Sequence, residues 1–410
     1  MNNTNKIKMF LIRNAVPIVF LVVSAIAIPI SRFSLDYLVQ EMLIRLSRNS
    51  FLVLSLLVPI MAGMGLNFGM VLGAMAGQLG LIFVSDWNVV GLNGMVLAAI
   101  IATPLAIFFG WICGVVLNKA RGREMVTSYI LGFFMNGVYQ LAVLYGFGSI
   151  VPITNTKLVL SRGYGIRNTI NLDSIRRCLD DLVPLEIFGI QIPVATFIVI
   201  GLFCLFIVWF RKTKLGQDMR ATGQDMAVAD SAGIPVLRTR VISIVISTVL
   251  ACYGQIIFLQ NVGTMNTYNS HEQAGVFAIA SLLVGGASVS RASILNVFVG
   301  VILFHLMFVV SPMAGKYLTG DAQIGSFSAS LYLTASFRWR WCFTPGDGTP
   351  IAKSPARSSA ARVRTEARKN EDEKNHCESR DNFCFCGAWV VLLRPWQGVR
   401  LHRRECRLPG

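Results

Sequence analysis

Charge is scarce in this chain. Asp, Glu, Lys and Arg make up 14% of its 410 residues, where soluble domains carry about a quarter. That shortage excludes an ordinary cytosolic enzyme and a disordered scaffold. Acidic residues are the rarer sign, 21 against 37 basic, and no carboxylate pair falls within an apolar run to drive ion coupling. No GxxxxGK(S/T) stretch occurs, which excludes ATP hydrolysis by a phosphate loop of that kind. A cleavable leader is also missing. The apolar run that follows Lys6, Lys8 and Arg13 is long for a leader, and Pro29-Ile30-Ser31-Arg32 offers no cleavage site. Cys113, Cys178, Cys204 and Cys252 sit mostly inside apolar runs and give no disulfide framework.

What the chain does have is long apolar stretches: 54% of its residues are hydrophobic and its mean hydropathy is +0.59. A helical span needs about 20 such residues. The runs at 9–30, 51–65, 66–84, 95–117, 125–147, 187–210, 240–262, 274–290 and 293–312 predict an all-α, polytopic membrane protein with about nine apparent spans. Lys6, Lys8 and Arg13 place the N-terminus in the cytosol, and forward counting puts the basic segments 118–124 and 211–240 on the same side. The loop 148–186 then lies outside. Residues 34–50 alternate apolar and charged positions and predict an amphipathic helix on the outer interface. Merging 51–84 into one re-entrant element would invert the preceding topology.

Polar side chains at membrane depth are costly unless paired or lining a water-filled path. Asn67 and Gln78 flank and interrupt the small-residue stretch Gly69, Gly73, Ala76, Gly77 and Gly80, which suits close helix approach. Asn136, Tyr139 and Gln140 share one helix face at i, i+3, i+4. Asn67, Gln78, Asn136 and Tyr139 are the candidate pathway residues. Interhelical hydrogen bonding accounts for the same pattern equally well. His305 reads as a core residue.

The longest polar insertion on the cytosolic side is 211–240. It contains a short helical piece at 217–222 between Gly216 and Gly223, and a second at 224–232, stopped by Gly233 with Pro235 beyond. A solvated connector would read the same way. The segment GQDMRATGQDMAVADSAGI nevertheless resembles the coupling segment of ABC importer permeases of the branched-chain amino acid, simple sugar and nucleoside family. GLNFG leading into GMVLGAMAGQ is similar to their glycine-rich third span, and SLLVGGASVSRASILNVFVG to their late Gly-Gly segment. The resemblance covers most of 50–325. It implies that Gly216, Arg220, Ala221, Gly223, Gln224, Ala229, Gly233 and Ile234 contact a separate ATPase subunit.

The resemblance further implies the membrane-spanning subunit of an ATP-driven importer in a bacterial inner membrane. Such a subunit is no enzyme, has no catalytic or metal residues and binds no cofactor, since ATP sits on the partner. Its partners would be the ATPase, a second permease (like or unlike), an extracytoplasmic solute-binding protein and the lipid bilayer, with no nucleic acid. The solute would be a simple sugar or nucleoside, with a branched-chain amino acid as a further candidate. The rival class is an ion-coupled secondary transporter.

The end of the chain is a different kind of sequence. Residues 336–410 hold 15 of the 37 basic residues, 5 of the 9 cysteines and 4 of the 7 tryptophans. The Cys and His spacings there fit no standard metal set, and the basic run 352–374 reads as a solvated tail. With free choice of synonymous codons, a shifted frame from Phe327 onward yields an apolar tenth span. The segment 326–410 is therefore expected to be a frameshifted or disordered tail behind a permease domain at 1–325.

Overall fold

The computed structural model describes residues 14–326, apart from 162, 188, 322, 324 and 325. The N-terminal basic residues and the atypical tail beyond Ser326 lie outside the described residues, as does the tenth span expected of a shifted frame.

The described chain is mostly helical. In order it forms α1 (Ala15–Ser31), α2 (Leu35–Ser55), α3 (Leu57–Met61), α4 (Met70–Asp86), α5 (Gly91–Lys119), α6 (Glu124–Leu141) with a π-turn at Ala142–Gly146, and α7 (Val194–Phe210). Then come α8 (Lys214–Gln224), α9 (Met226–Ser231), α10 (Val236–Val262), α11 (Ser270–Val284) and α12 (Ile294–Thr319). Among the described residues, five helices are long and apolar enough to cross a membrane: α2 joined to α3, α5, α6 with its π-turn, α10 and α12. Two shorter apolar helices, α1 and α4, accompany them, and the apolar α7 is followed by the polar α8 at a 72° bend.

One expectation is corrected. Residues 34–50 do not form a separate interfacial helix, because α2 runs unbroken through them and on to Ser55, with α3 extending the same span. Of the charged residues that suggested an interface, Arg45 pairs with Glu41 one turn away at 2.6 Å and Arg48 lies over the Phe258 ring of a later helix, and the uncharged polar residues bond to their own helix. Ser47, Ser50 and Ser55 donate to the carbonyls of Ile44, Leu46 and Leu52 at 2.6–2.8 Å, and Asn49 to Arg45. Hydroxyls and amides bonded this way are buried without a partner elsewhere, and all four side chains are buried. The span expected at 187–210 also starts later, at Val194. The preceding residues form a hairpin of β2 (Pro184–Ile187) and β3 (Ile190–Pro193), pairing Leu185 with Ile192 and Glu186 with Gln191.

Helix α10 is the centre of the bundle, packed against α2, α4 and α5. Glycine makes the α4 contact close: a methyl on Gly77 would lie 2.8 Å from the Cys252 carbonyl, and one on Gly73 would strike that of Thr248. Gly80 approaches Ala98 of α5 in the same manner. The small-residue stretch thus acts through close helix packing.

The long segment 147–193 is folded onto the bundle. Strand β1 (Thr169–Asn171) pairs antiparallel with β4 (Thr264–Asn266) just after α10. Buried Asp86 at the end of α4 accepts from the Thr154 and Asn155 backbone N–H groups at 2.9 and 2.8 Å. Buried Asp180 accepts from Thr196 of α7 and from Gln260 and Asn261 of α10.

Candidate functional site

Three of the four polar residues predicted at membrane depth meet in one cluster. Gln78 comes from the middle of α4, and Asn136 and Tyr139 from successive turns of α6. Tyr139 donates to Gln78 Oε1 at 3.1 Å. The joining element is the first turn of α11. His271 Nδ1 lies 2.9 Å from Gln78 Oε1, and its Nε2 lies 2.9 Å from Asn136 Oδ1. The Tyr139 and His271 rings meet edge to face at 4.9 Å. Glu272, the next residue, accepts from Asn136 Nδ2 at 3.3 Å, and Gln140 donates to Asn136 Oδ1.

His271 and Glu272 are absent from the predicted site because the apolar run of α11 was placed at 274–290. The helix begins four residues earlier, at Ser270. The available signal was the pair His-Glu set directly against a small, apolar run.

Donor and acceptor chemistry orders the cluster. An ionised Glu272 only accepts, so Asn136 turns its NH2 toward Glu272 and its oxygen toward His271. The proton of a neutral His271 then sits on Nε2, leaving Nδ1 as an acceptor. A Gln side chain presents oxygen or NH2 by a half-turn. Gln78 offers its NH2 to a neutral ring, the Tyr139 hydroxyl then accepting from that NH2 instead of donating, and its oxygen to a doubly protonated one. The proton count on His271 is thereby tied to the orientation of Gln78, whose side chain is fully buried.

Beside the cluster is a pocket with Phe68, Tyr129, Phe133, Asn136, Glu272 and Val276 among its walls. The aromatic rings stand edge to face, Phe68 to Tyr129 at 5.3 Å and Tyr129 to Phe133 at 4.6 Å. The pocket's walls are mainly flat apolar rings, with the Glu272 carboxylate and the Asn136 amide among the lining residues.

The fourth predicted pathway residue, Asn67, does not join this cluster. It sits in the break between α3 and α4, where its Oδ1 accepts from the Gly69 N–H at 2.9 Å and closes a local turn just before α4. Its neighbour Phe68 is the residue that reaches the pocket.

The segment 211–235 forms two helices. Thr213 caps α8 by accepting from Gly216 N–H, and Asp225 caps α9 by accepting from Ala227 and Val228 N–H at 2.8 and 3.2 Å. The predicted contact residues divide between two faces. Arg220, Gly223, Gln224 and Gly233 are exposed, and Ala221 and Ile234 are partly so. Gly216 and Ala229 are buried against the chain itself, alongside Met219, which packs with Val58, Met64 and Phe210. The outward face also carries Val228 at 63% exposure and Met226. Gly233 ends the second helix with φ +79°.

Comparison with known proteins gives a consistent result. The family model described as "Branched-chain amino acid transport system / permease component" matches residues 38–325. The chain is 27% identical to the autoinducer 2 import system permease protein LsrD of Photorhabdus luminescens, over 63% of this chain and 70% of that protein. It is 24% identical to the nucleoside ABC transporter permease protein NupB of Lactococcus lactis subsp. cremoris, over 55% of this chain and 57% of that one. No solved structure matches.

Proposed function

Since the chain belongs to the permease components of the branched-chain amino acid transport family, we propose that it forms the membrane-spanning half of an ATP-driven importer for a small polar solute. Read as nine crossings from a cytosolic N-terminus, its apolar helices put 211–235 in the cytosol and 147–193 outside. The exposed face of α8 and α9, with Arg220, Gln224, Met226 and Val228, docks on a separate ATPase subunit. A second permease and an extracytoplasmic binding protein complete the assembly in a bacterial inner membrane. The solute passes the pocket bounded by Phe68, Phe133, Asn136 and Glu272. The names of LsrD and NupB favour a sugar-like or nucleoside-like solute.

The observation that carries this reading is the polar cluster of Gln78, Asn136, Tyr139, His271 and Glu272 set among apolar helices and opening on an aromatic pocket. Nucleotide-driven movement of the ATPase would favour one state of that pocket over the other, and differential binding of the partners to the two states supplies the bias. The test is affinity purification of the full chain from native membranes, with mass spectrometry of what accompanies it. A stoichiometric ATPase supports the reading, and a well-folded chain recovered alone opposes it.

A second reading has one observation in its favour. Glu272 and His271 put two titratable groups inside the cluster, which suits an ion-coupled carrier. Uptake that persists without any ATPase and follows an imposed proton gradient would establish that class instead.

A further inference from the structure

Two contacts lead from the cytosolic segment to different walls of the aromatic pocket. The first is backbone against backbone. Gly223, next to last in α8, faces Gly63 in the break before α4: a methyl on Gly63 would come 2.7 Å from Gly223 Cα, and one on Gly223 would strike the Met61 carbonyl. Five residues beyond Gly63, the same break places Phe68 in the pocket wall, with its N–H 3.3 Å from Ser128 Oγ of α6. Gly63 and Gly65 take φ of +71° and +70°, a conformation open to glycine at little cost. The break is therefore jointed beside the contact.

The second contact is a buried ion pair. Arg240, near the start of α10, has a fully buried side chain and pairs with Glu124, the first residue of α6. Its Nη1 also lies 3.4 Å from the Met226 sulfur, on the first residue of α9. Helix α6 then carries Tyr129, Phe133 and Asn136 into the pocket. Only Ser128, Gly132 and Tyr139 of α6 are buried, so little core packing holds the helix against movement at its base.

Resting on the permease reading, we propose that Gly63, Gly223, Glu124 and Arg240 are positioning residues that pass displacement of α8 and α9 to the pocket. The glycine contact pushes the break and with it Phe68. The link Met226–Arg240–Glu124 moves α6 and with it Phe133 and Asn136. Neither contact yields easily: the first has no side chain to rotate away, and the second leaves a buried charge alone if it parts. Two discrete arrangements of such an element are what a switch between pathway states requires.

The test uses a Phe133→Cys probe in the full chain, purified with its partner subunits into lipid nanodiscs. Its reaction with N-ethylmaleimide is read at that peptide by mass spectrometry, with no nucleotide and with MgATP plus vanadate. The expected nucleotide response in the probe chain is roughly fivefold or more. Adding Gly223→Ala, or separately Glu124→Gln, is expected to cut it below about twofold while the ATPase still copurifies. An undiminished response in both overturns the proposal, and in one it overturns that contact. If Gly223→Ala prevents assembly, Glu124→Gln decides alone. A probe chain that carries no ATPase, or ignores nucleotide, overturns the permease reading itself, and the proposal falls with it.

Discussion

Asn136 lies between two consecutive residues of α11, with its oxygen 2.9 Å from His271 Nε2 and its NH2 3.3 Å from Glu272 Oε2. One amide thus fixes the register of α11 against α6 and dictates which imidazole nitrogen is the donor.

Replacing Asn136 by Leu should leave His271 Nε2 and one Glu272 oxygen without that partner. The expected loss is about 1–3 kcal/mol, read as a lower melting temperature in detergent, together with loss of solute uptake. Asn136→Asp is expected to keep the shape but repel Glu272. Full uptake with Leu at this position would remove Asn136 from the pathway.

Arg240 and Glu124 should behave asymmetrically. Removing one charge, as in Arg240→Met, is expected to cost about 3–5 kcal/mol, whereas an apolar pair at both positions recovers most of it. Thermal unfolding of the two single variants and the double variant checks this. A loss in the double variant equal to the sum of the two single losses would mean that the pair is not energetically coupled.

Asp180 ties the segment 147–193 to α7 and α10 through three side-chain donors. Asp180→Ala should therefore release 147–193, raising hydrogen exchange there on the order of tenfold or more, given about 1.5–3 kcal/mol for each hydrogen bond to a charged group. Exchange in α4 and α10 should change little.

The Cys178 thiol, in the same segment between α6 and α7, is held above its ordinary pKa, first by burial and then by the charge of Asp180. A raised pKa lowers the thiolate fraction at neutral pH. Maleimide labelling of Cys178 should be slower than that of a free cysteine at about pH 8 and keep rising past the ordinary thiol range near 8.5. A rate that levels off at the ordinary thiol pKa would refute this.

Much of the arrangement is readable in the sequence where the signal is local. The stripe of Asn136, Tyr139 and Gln140 shares one helix face, and Gln78 stands out in an apolar run, so both announce themselves. His271 and Glu272 do not, since a polar pair at a helix start resembles the loop before it. Asn67 shows the converse: a polar residue at depth whose bond is local, to the Gly69 N–H two residues on. Residues 34–50 misled because composition cannot show that Arg45 will pair with Glu41 on its own helix or that Arg48 will find Phe258, more than 200 positions away. The Gly63–Gly223 contact joins positions 160 apart, and no periodicity reports a meeting of that kind.

The self-bonded hydroxyls of α2 have a consequence for how the protein is made. A helix that supplies the partners for its own Ser47, Asn49, Ser50 and Ser55 need not wait for neighbours to shield them from lipid. Arg48 on the same helix is not so served, since its guanidinium lies over the Phe258 ring of α10, and that part of α2 waits for the later helix. The cluster of Gln78, Asn136 and His271 has no such freedom. Its parts are complete only when α4, α6 and α11 have all arrived, which makes it a late checkpoint in biogenesis.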